Sequence, residues 1–123
     1  MVISTNAGAL PERYQDLHLE VDFAGASMSV DSRPMALTRK EYELLTLLVQ
    51  NAGEIIRRDI LLARVWGYSP HARTRTLDVH ILRLRKKLGA YSGRYIETIC
   101  GIGYRFHPFV NGPRFGTTVA SRQ

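Results

Sequence analysis

The stretch TRTLDVHILRLRKKL, residues 74–88, combines two patterns in one segment. Its apolar residues recur at the spacing of one face of an α-helix, which predicts a helix with a single buried stripe of Leu77, Ile81, Leu84 and Leu88. The opposite face carries Arg75, Thr76, Val79, Arg83 and Lys86. Such a helix is suited to enter the major groove of a DNA duplex. An ordinary solvated basic face has the same pattern, so the rest of the chain must separate the two interpretations.

The positive charge of the chain is concentrated around this helix, and the formal net charge is +6. Residues 1–56 contain four Lys/Arg and eight Asp/Glu, residues 57–87 contain nine and two, and residues 88–123 contain four and one. The net charge of these segments is therefore −4, +7 and +3, which indicates one face for a polyanion. An anionic membrane surface is the weaker alternative, because the apolar stripe of the helix is needed for the core.

Length and composition restrict the class of protein. The 123 residues, 45% of them hydrophobic, suit one domain with tails. No apolar run approaches the ~20 residues of a membrane span, and the first ten residues lack the pattern of a secretory signal. One cysteine and four scattered histidines exclude a zinc finger, and no catalytic triad, carboxylate pair or phosphate loop is present. We expect a cytoplasmic protein that is not an enzyme and needs no metal or cofactor.

The N-terminal half of the domain is predicted to be a small antiparallel sheet followed by a helix. Residues 1–14 have no periodicity and are expected to form a flexible linker. Apolar and polar residues alternate in three short runs over residues 17–37, which predicts three strands. Thr38 and Glu41 form a capping box at the start of the helix, and Gly53 is suited to the left-handed conformation that closes it.

The C-terminal half is predicted to contain two more helices and a hairpin. Ile55 and Ile56 suit a short strand, and a helix over residues 58–66 ends at Gly67. The basic helix, about residues 73–88, precedes a hairpin over residues 95–106, and residues 110–123 are expected to be a disordered tail. Three helices followed by a hairpin are typical of a winged helix-turn-helix of the α+β class, here expected over residues 15–109.

Five segments, in order and at matching spacing over about residues 17–107, resemble one family closely. They are LTRKEYELL (residues 37–45), VWG (65–67), RTLDVHI (75–81), LRKKL (84–88) and GIGYRF (101–106). The chain is similar to the OmpR/PhoB-type effector domain of bacterial two-component response regulators. The resemblance implies an N-terminal four-stranded sheet, three helices and a C-terminal β-hairpin wing. It also implies control of transcription by binding to promoter DNA.

The same resemblance carries expectations about partners. In the family a phosphorylatable receiver domain precedes this module, so the chain is expected to be an effector domain with part of its linker and without the receiver. Members usually bind direct-repeat sites as a head-to-tail pair. We expect this chain to be a monomer in solution and to form such a pair on double-stranded DNA.

Three side chains of the basic helix are candidates for contact with bases. A guanidinium at Arg83 can bind guanine O6 and N7 in bidentate fashion, although a phosphate contact is the simpler alternative. The family often reads bases at the position of Arg83. Thr76 and Val79 lie on the same face, and a hydroxyl and a branched apolar chain suit contact with a thymine methyl group. Leu82 also points outward, and the sequence leaves open whether it touches DNA or a partner subunit.

A larger set is expected to bind phosphates, which accept at least half of protein–DNA hydrogen bonds. Its members are Arg57, Arg58, Trp66, Arg75, His80, Arg85, Lys87, Thr98 and Tyr104. Arg57 stands where relatives commonly have a serine that caps the second helix, so that helix should begin without a side-chain cap. His80 has no second ligand at helical spacing and Asp78 points elsewhere, so a metal site is not expected.

The wing and one loop complete the expectations. The tip of the wing is expected to consist of Cys100, Gly101, Ile102 and Gly103, with Cys100 at a position where the family often has an arginine that enters the minor groove. A thiol cannot exploit the negative potential of that groove. Tyr68, Ser69, Pro70 and His71 correspond to a segment that in some relatives contacts RNA polymerase. The alternative to DNA binding is a winged-helix module that binds protein, which Leu82, Cys100 and the acidic N-terminal half leave open.

Overall fold

The computed structural model describes residues 13–69 and 72–110, and its N-terminal part is a four-stranded antiparallel sheet. The strands follow one another in chain order as β1 (Arg13–Gln15), β2 (Leu19–Asp22), β3 (Ser27–Val30) and β4 (Arg33–Met35). Val21 lies opposite both Tyr14 and Met28, and Met28 lies opposite Met35, so these four side chains share one face. Val21 and Met28 are buried, and this face belongs to the hydrophobic core.

The strands differ in place from those that the alternating pattern predicts. β1 includes Arg13 and Tyr14, which the sequence analysis assigned to the linker. β4 lies two residues earlier than expected and contains Pro34, which is tolerated because β4 is an edge strand. Leu17 lies outside the strands and is 51% exposed, although it was expected on the buried face. Alternation finds the sheet, but it does not locate the ends of strands only three or four residues long.

Three helices begin and end close to the predicted positions. They are α1 (Arg39–Gln50), α2 (Arg58–Trp66) and α3 (Thr76–Leu88). The capping box at Thr38 is confirmed: its hydroxyl accepts the Glu41 N–H at 3.2 Å, and the Glu41 carboxylate accepts the Thr38 N–H at 2.9 Å. α2 ends at Gly67, which has φ 76°. α3 begins three residues later than expected, after Thr74, whose hydroxyl accepts the Thr76 N–H at 3.1 Å.

The predicted hairpin is part of a three-stranded antiparallel sheet. Its strands are β5 (Ile55–Arg57), β6 (Ile96–Ile99) and β7 (Gly103–Phe106), with β7 in the centre. We call β6, β7 and the turn at residues 100–102 the wing. A 3₁₀ turn (Gly89–Tyr91) and a short helix α4 (Ser92–Tyr95) lead from α3 into β6, and the sequence analysis did not predict either.

One hydrophobic core joins both sheets and the helices. All four residues of the predicted α3 stripe are buried, which confirms the orientation of this helix. Tyr95 and Phe106 are the largest fully buried side chains, and their rings stack with centroids 5.6 Å apart. The α+β winged-helix architecture is therefore confirmed, with the basic face of α3 turned away from the core.

Asp16 ties the N-terminal sheet to the C-terminal part of the domain. Its carboxylate accepts hydrogen bonds from the hydroxyls of Tyr14 and Tyr95 and from the N–H groups of Leu19 and Phe109. Burial, and next the Asp16 carboxylate, raise the pKa of Tyr95 far above its usual range. Since these partners lie up to 93 residues apart in the chain, this junction has no local sequence signal.

The described residues contain no helix that is both long enough and apolar enough to cross a membrane. Within the same residues, no group of three or more His, Cys, Asp and Glu side chains is placed to hold a metal ion. The expectations for residues 1–12, for Pro70 and His71, and for residues 111–123 fall outside the described part of the chain.

Candidate nucleic-acid interface

The face of α3 opposite the core presents cations around two apolar side chains. Val79 is 38% exposed and Leu82 is 55% exposed. Arg75, Arg83 and Lys86 are also exposed, and none of them makes an ion pair or a side-chain hydrogen bond with another described residue. These three cations are therefore available to an external anion. Thr76, the third predicted base reader, is half-buried at the N-terminal end of the same face.

The N-terminal end of α3 borders a shallow, open pocket that sequence reasoning only partly identified. Its lining residues are Arg58, Arg73, Thr74, Arg75 and Asp78. The hydroxyls of Thr74 and Thr76 are 2.8 Å apart, which fixes both at the first turn of the helix. Arg73 and Thr74 were not singled out, because the sequence analysis placed the start of the helix at residue 73 and gave them no separate role.

Asp78 connects α3 to α2 and to the wing. Its carboxylate accepts hydrogen bonds from both terminal nitrogens of Arg58, one of them at 3.1 Å, and from the Tyr104 hydroxyl at 2.7 Å. The Arg58 guanidinium holds the pKa of Asp78 below its usual range. Burial, and next Asp78, raise the pKa of Tyr104 to about 12. Asp78 thus has a structural role, with Arg58 and Tyr104 as its hydrogen-bond partners.

Asp78→Asn is expected to remove part of the pH dependence of stability. The folded pKa of Asp78 lies below the unfolded value, so its contribution is fully present above the unfolded pKa of about 4 and is lost as the pH falls through the folded pKa. Urea unfolding at pH 7, 5, 4 and 3 should show the wild type more stable at neutral pH, with the difference shrinking below pH 4. A difference between the two proteins that stays constant across this range would contradict the assignment.

Arg85 links α3 to the wing and is not free in the structure. One of its terminal nitrogens donates to the Ile96 carbonyl at 2.7 Å and to the Thr98 hydroxyl at 2.8 Å. Its guanidinium carbon also lies 5.9 Å from the centroid of the Tyr104 ring. Arg85, Thr98 and Tyr104 were predicted to bind phosphates. The structure gives these three groups internal partners, because Arg85 reaches β6 and the Tyr104 hydroxyl reaches Asp78 of α3.

Lys87 also turns inward. Its ammonium donates to the Ala36 carbonyl at 2.6 Å and to the Glu41 carboxylate at 2.5 Å. Glu41 is only 2% exposed, so its charge requires this cation. Burial opposes ionisation of Glu41, but the bonds from Lys87 and from the Thr38 N–H outweigh it and lower the pKa of Glu41. Lys87, which was predicted to bind a phosphate, instead joins the end of α3 to the start of α1 in this structure.

Trp66 and His80 form one pair at the junction of α2 and α3. Their rings meet edge to face, with centroids 4.9 Å apart and planes at 69°. The Nδ1 of His80 lies 2.8 Å from the Thr76 carbonyl and must donate to it, because a carbonyl only accepts. The remaining ring nitrogen, Nε2, has no hydrogen bond among the described residues, so His80 keeps one group for an external partner.

The wing turn is exposed and touches the start of α2. Cys100, Gly101 and Ile102 are exposed, whereas Gly103 is buried against β5. The Ile102 carbonyl accepts the Arg58 N–H at 3.0 Å, which satisfies one free donor of the α2 N-terminus. Arg57 provides no side-chain cap, as expected, and pairs instead with Asp59 at 3.1 Å. In the predicted polymerase loop, Tyr68 and Ser69 are exposed.

The structure divides the predicted site residues into two groups. Arg75, Val79, Arg83 and the wing turn are exposed, whereas Arg58, Arg85, Lys87 and Tyr104 are bonded within the protein. Lys86 was not among the predicted phosphate ligands. Its position on the outward face of the helix was the signal that could have identified it.

Comparison with known proteins identifies the family. Residues 32–106, more than half of the chain, match the family described as transcriptional regulatory protein, C terminal. The chain therefore belongs to this family of C-terminal domains of transcriptional regulators. The resemblance to OmpR/PhoB-type response regulators is confirmed by a solved relative, the response regulator DrrB of Thermotoga maritima, which is described as an OmpR/PhoB homologue. DrrB is 33% identical with a TM-score of 0.70, over 78% of this chain and 44% of DrrB.

Two further relatives illustrate the range of the match. The chain is 38% identical over 102 residues to the transcriptional regulatory protein VxrB of Vibrio cholerae, which covers 83% of this chain and 40% of VxrB. The DNA-binding domain of RstA from Klebsiella pneumoniae, solved in complex with the RstA box, is 31% identical with a TM-score of 0.72, over 80% of this chain and 99% of that domain. The chain thus spans less than half of VxrB and DrrB and nearly all of the RstA domain.

Proposed function

We propose that this chain is the effector domain of a two-component response regulator and binds specific sites in double-stranded DNA to regulate transcription in the cytoplasm. The observation that carries the proposal is the outward face of α3. Arg75, Arg83 and Lys86 make no ion pair there with another described residue, while Arg58 and Lys87 are paired within the protein. A helix that keeps its cations for an external polyanion fits the major groove, and the wing then lies against the neighbouring backbone.

The proposed division of labour follows the geometry. Arg83, Val79 and Thr76 contact base edges, and Arg83 supplies the bidentate donor pair for guanine. Phosphates are contacted by the exposed or half-buried donors at the rim of α3 and the wing: Arg57, Trp66, Arg75, Lys86 and Thr98. His80 joins them only as an imidazolium, because its Nδ1–H already donates to the Thr76 carbonyl. Arg58, Arg85, Lys87 and Tyr104 are left out of this set, because they are at least half-buried and a phosphate contact would have to break their internal bonds. Arg57 and Thr98 also have internal partners, but both are exposed and can reach a phosphate from the surface.

The assembly on DNA is proposed from the family. Two copies bind a direct repeat head to tail, a receiver domain belongs to the same protein, and the loop that contains Tyr68 and Ser69 faces RNA polymerase. The exposure of those two residues supports a role in an interaction surface.

Selection from a randomised duplex library at about 150 mM salt tests the proposal. The bound pool is sequenced and should be enriched in a short motif, repeated directly at about 10–10.5 bp. Binding without enrichment would mean that the basic face contacts phosphates and does not recognise a base sequence. No duplex binding even at 50 mM salt would refute the proposal and leave the protein-binding module as the better hypothesis.

Cys100→Arg is expected to strengthen binding by roughly 3–10-fold and to steepen the dependence of log K on log salt by about one unit. Cys100 is exposed at the wing turn, where a guanidinium could reach the adjacent minor groove. Fluorescence anisotropy on the selected duplex between 50 and 300 mM salt measures both quantities. Cys100→Ser is the matched control and should bind like the wild type. If the arginine variant has neither a higher affinity nor a steeper salt dependence than the wild type, the wing turn does not approach the DNA backbone.

A further inference from the structure

Leu82 and Val79 form an exposed apolar pair in the middle of the cationic face of α3. The two residues are three positions apart on the helix and are therefore neighbours on its surface. Leu82 is 55% exposed and Val79 is 38% exposed, so neither belongs to the core. Two neighbouring apolar side chains at the centre of a charged face are suited to cover an apolar group of an external partner.

The charges around the pair indicate which partner this is. Arg75, Arg83 and Lys86 surround it within about one helical turn on each side, and none is paired within the described residues. An apolar patch on a protein partner would strip water from these cations without neutralising them. The DNA major groove offers phosphates at its rim and, inside it, one apolar group, the 5-methyl group of thymine.

The helical positions place Leu82 beside the predicted readers. Successive residues are about 100° apart around the helix axis. Around this axis, Leu82 is about 60° from Val79, on the side where Arg85 contacts β6. Arg83 is about 40° from Val79 on the opposite side. The three side chains therefore form one continuous strip across the outward face. Val79 and Leu82 supply the apolar part of this strip, and Arg83 supplies the hydrogen-bond donors.

We propose that Leu82 is a specificity-determining residue which, together with Val79, packs on the 5-methyl groups of thymines next to the base that Arg83 contacts. This inference rests on the proposed function. It assigns Leu82 to the DNA and not to contact between two copies of the protein, and it predicts that the site contains thymines on the wing side of the guanine read by Arg83.

Replacement of thymine by deoxyuridine isolates this contact, because it removes the methyl group and keeps the base pair. Each thymine of the selected site is replaced in turn, and affinity is measured by fluorescence anisotropy on a duplex with one site. The wild type should lose about fourfold at each thymine whose methyl is covered. At one or two of these positions, the Leu82→Ala variant should bind the thymine duplex and the deoxyuridine duplex with equal affinity. At the other positions it should lose as much affinity as the wild type. Leu17→Ala, at a residue 51% exposed and outside α3, is the matched control and should keep every wild-type ratio.

The other outcomes overturn the inference in distinguishable ways. Two results would overturn the Leu82 contact and leave specific DNA binding intact. The first is a selected motif without thymine on the wing side. The second is a Leu82→Ala variant whose affinity ratios between thymine and deoxyuridine duplexes equal those of the wild type. If Leu82→Ala loses affinity only for duplexes with two sites, Leu82 lies between two copies of the protein. No enrichment or no binding by the wild type would overturn the proposed function itself, and this contact with it.

Discussion

Gly103→Ala is expected to destabilise the domain by about 3 kcal/mol, the upper part of the range for overpacking a filled site. A methyl group at this position would overlap the Ile56 carbonyl oxygen and lie 2.8 Å from the Ile56 carbonyl carbon and 2.9 Å from the Arg57 Cα. All three atoms belong to the backbone of β5, so no side-chain rotation relieves the overlap. β5 must move away from β7, which weakens the pairing of Arg57 with Gly103 and the bond from the Arg58 N–H to the Ile102 carbonyl.

Urea unfolding followed by circular dichroism measures this effect. Gly93→Ala is the matched control, because a methyl group at Gly93 meets no atom within 4 Å and the residue lies in the short helix α4. The control should be neutral or slightly stabilising, by up to about 1 kcal/mol. Equal unfolding midpoints for the two variants would mean that β5 and β7 are not packed as closely as the structure shows.

Arg83→Ala is expected to weaken binding to the selected site by roughly 1–3 kcal/mol and to remove the preference at one base pair. The reason is geometric as well as electrostatic. Arg83 is exposed on the outward face of α3 and has no internal partner among the described residues, so its planar guanidinium is available for a bidentate contact. Arg83→Lys should keep the charge and recover only part of the discrimination.

The measurement is a set of affinities for the selected duplex and for three duplexes that carry the other base pairs at the guanine position. Lys86→Ala is the control for loss of charge alone: it should weaken all four duplexes equally and lower the salt slope by about one unit. If Arg83→Ala behaves in the same way as Lys86→Ala, Arg83 is a phosphate ligand and the base-reading role is wrong.

Local signals account for most of what the sequence predicted correctly. The capping box of Thr38 and Glu41, the left-handed Gly67 and the buried stripe of α3 depend on residues within one or two turns of each other. The ends of the short strands β1 and β4 were misplaced, because three residues carry too little alternation to locate a strand. α4 was missed because its four residues contain no repeat of the helical period.

The amino-acid sequence by itself determined the winged-helix fold, the direction in which α3 presents its basic face and the family to which the chain belongs. Only the tertiary structure decided which cations are available on that face. Arg58 meets Asp78 across 20 residues, and Lys87 meets the Ala36 carbonyl across 51. Periodicity shows that a side chain leaves the core, but the group that satisfies its charge is set by distances of a few ångströms between elements far apart in the chain.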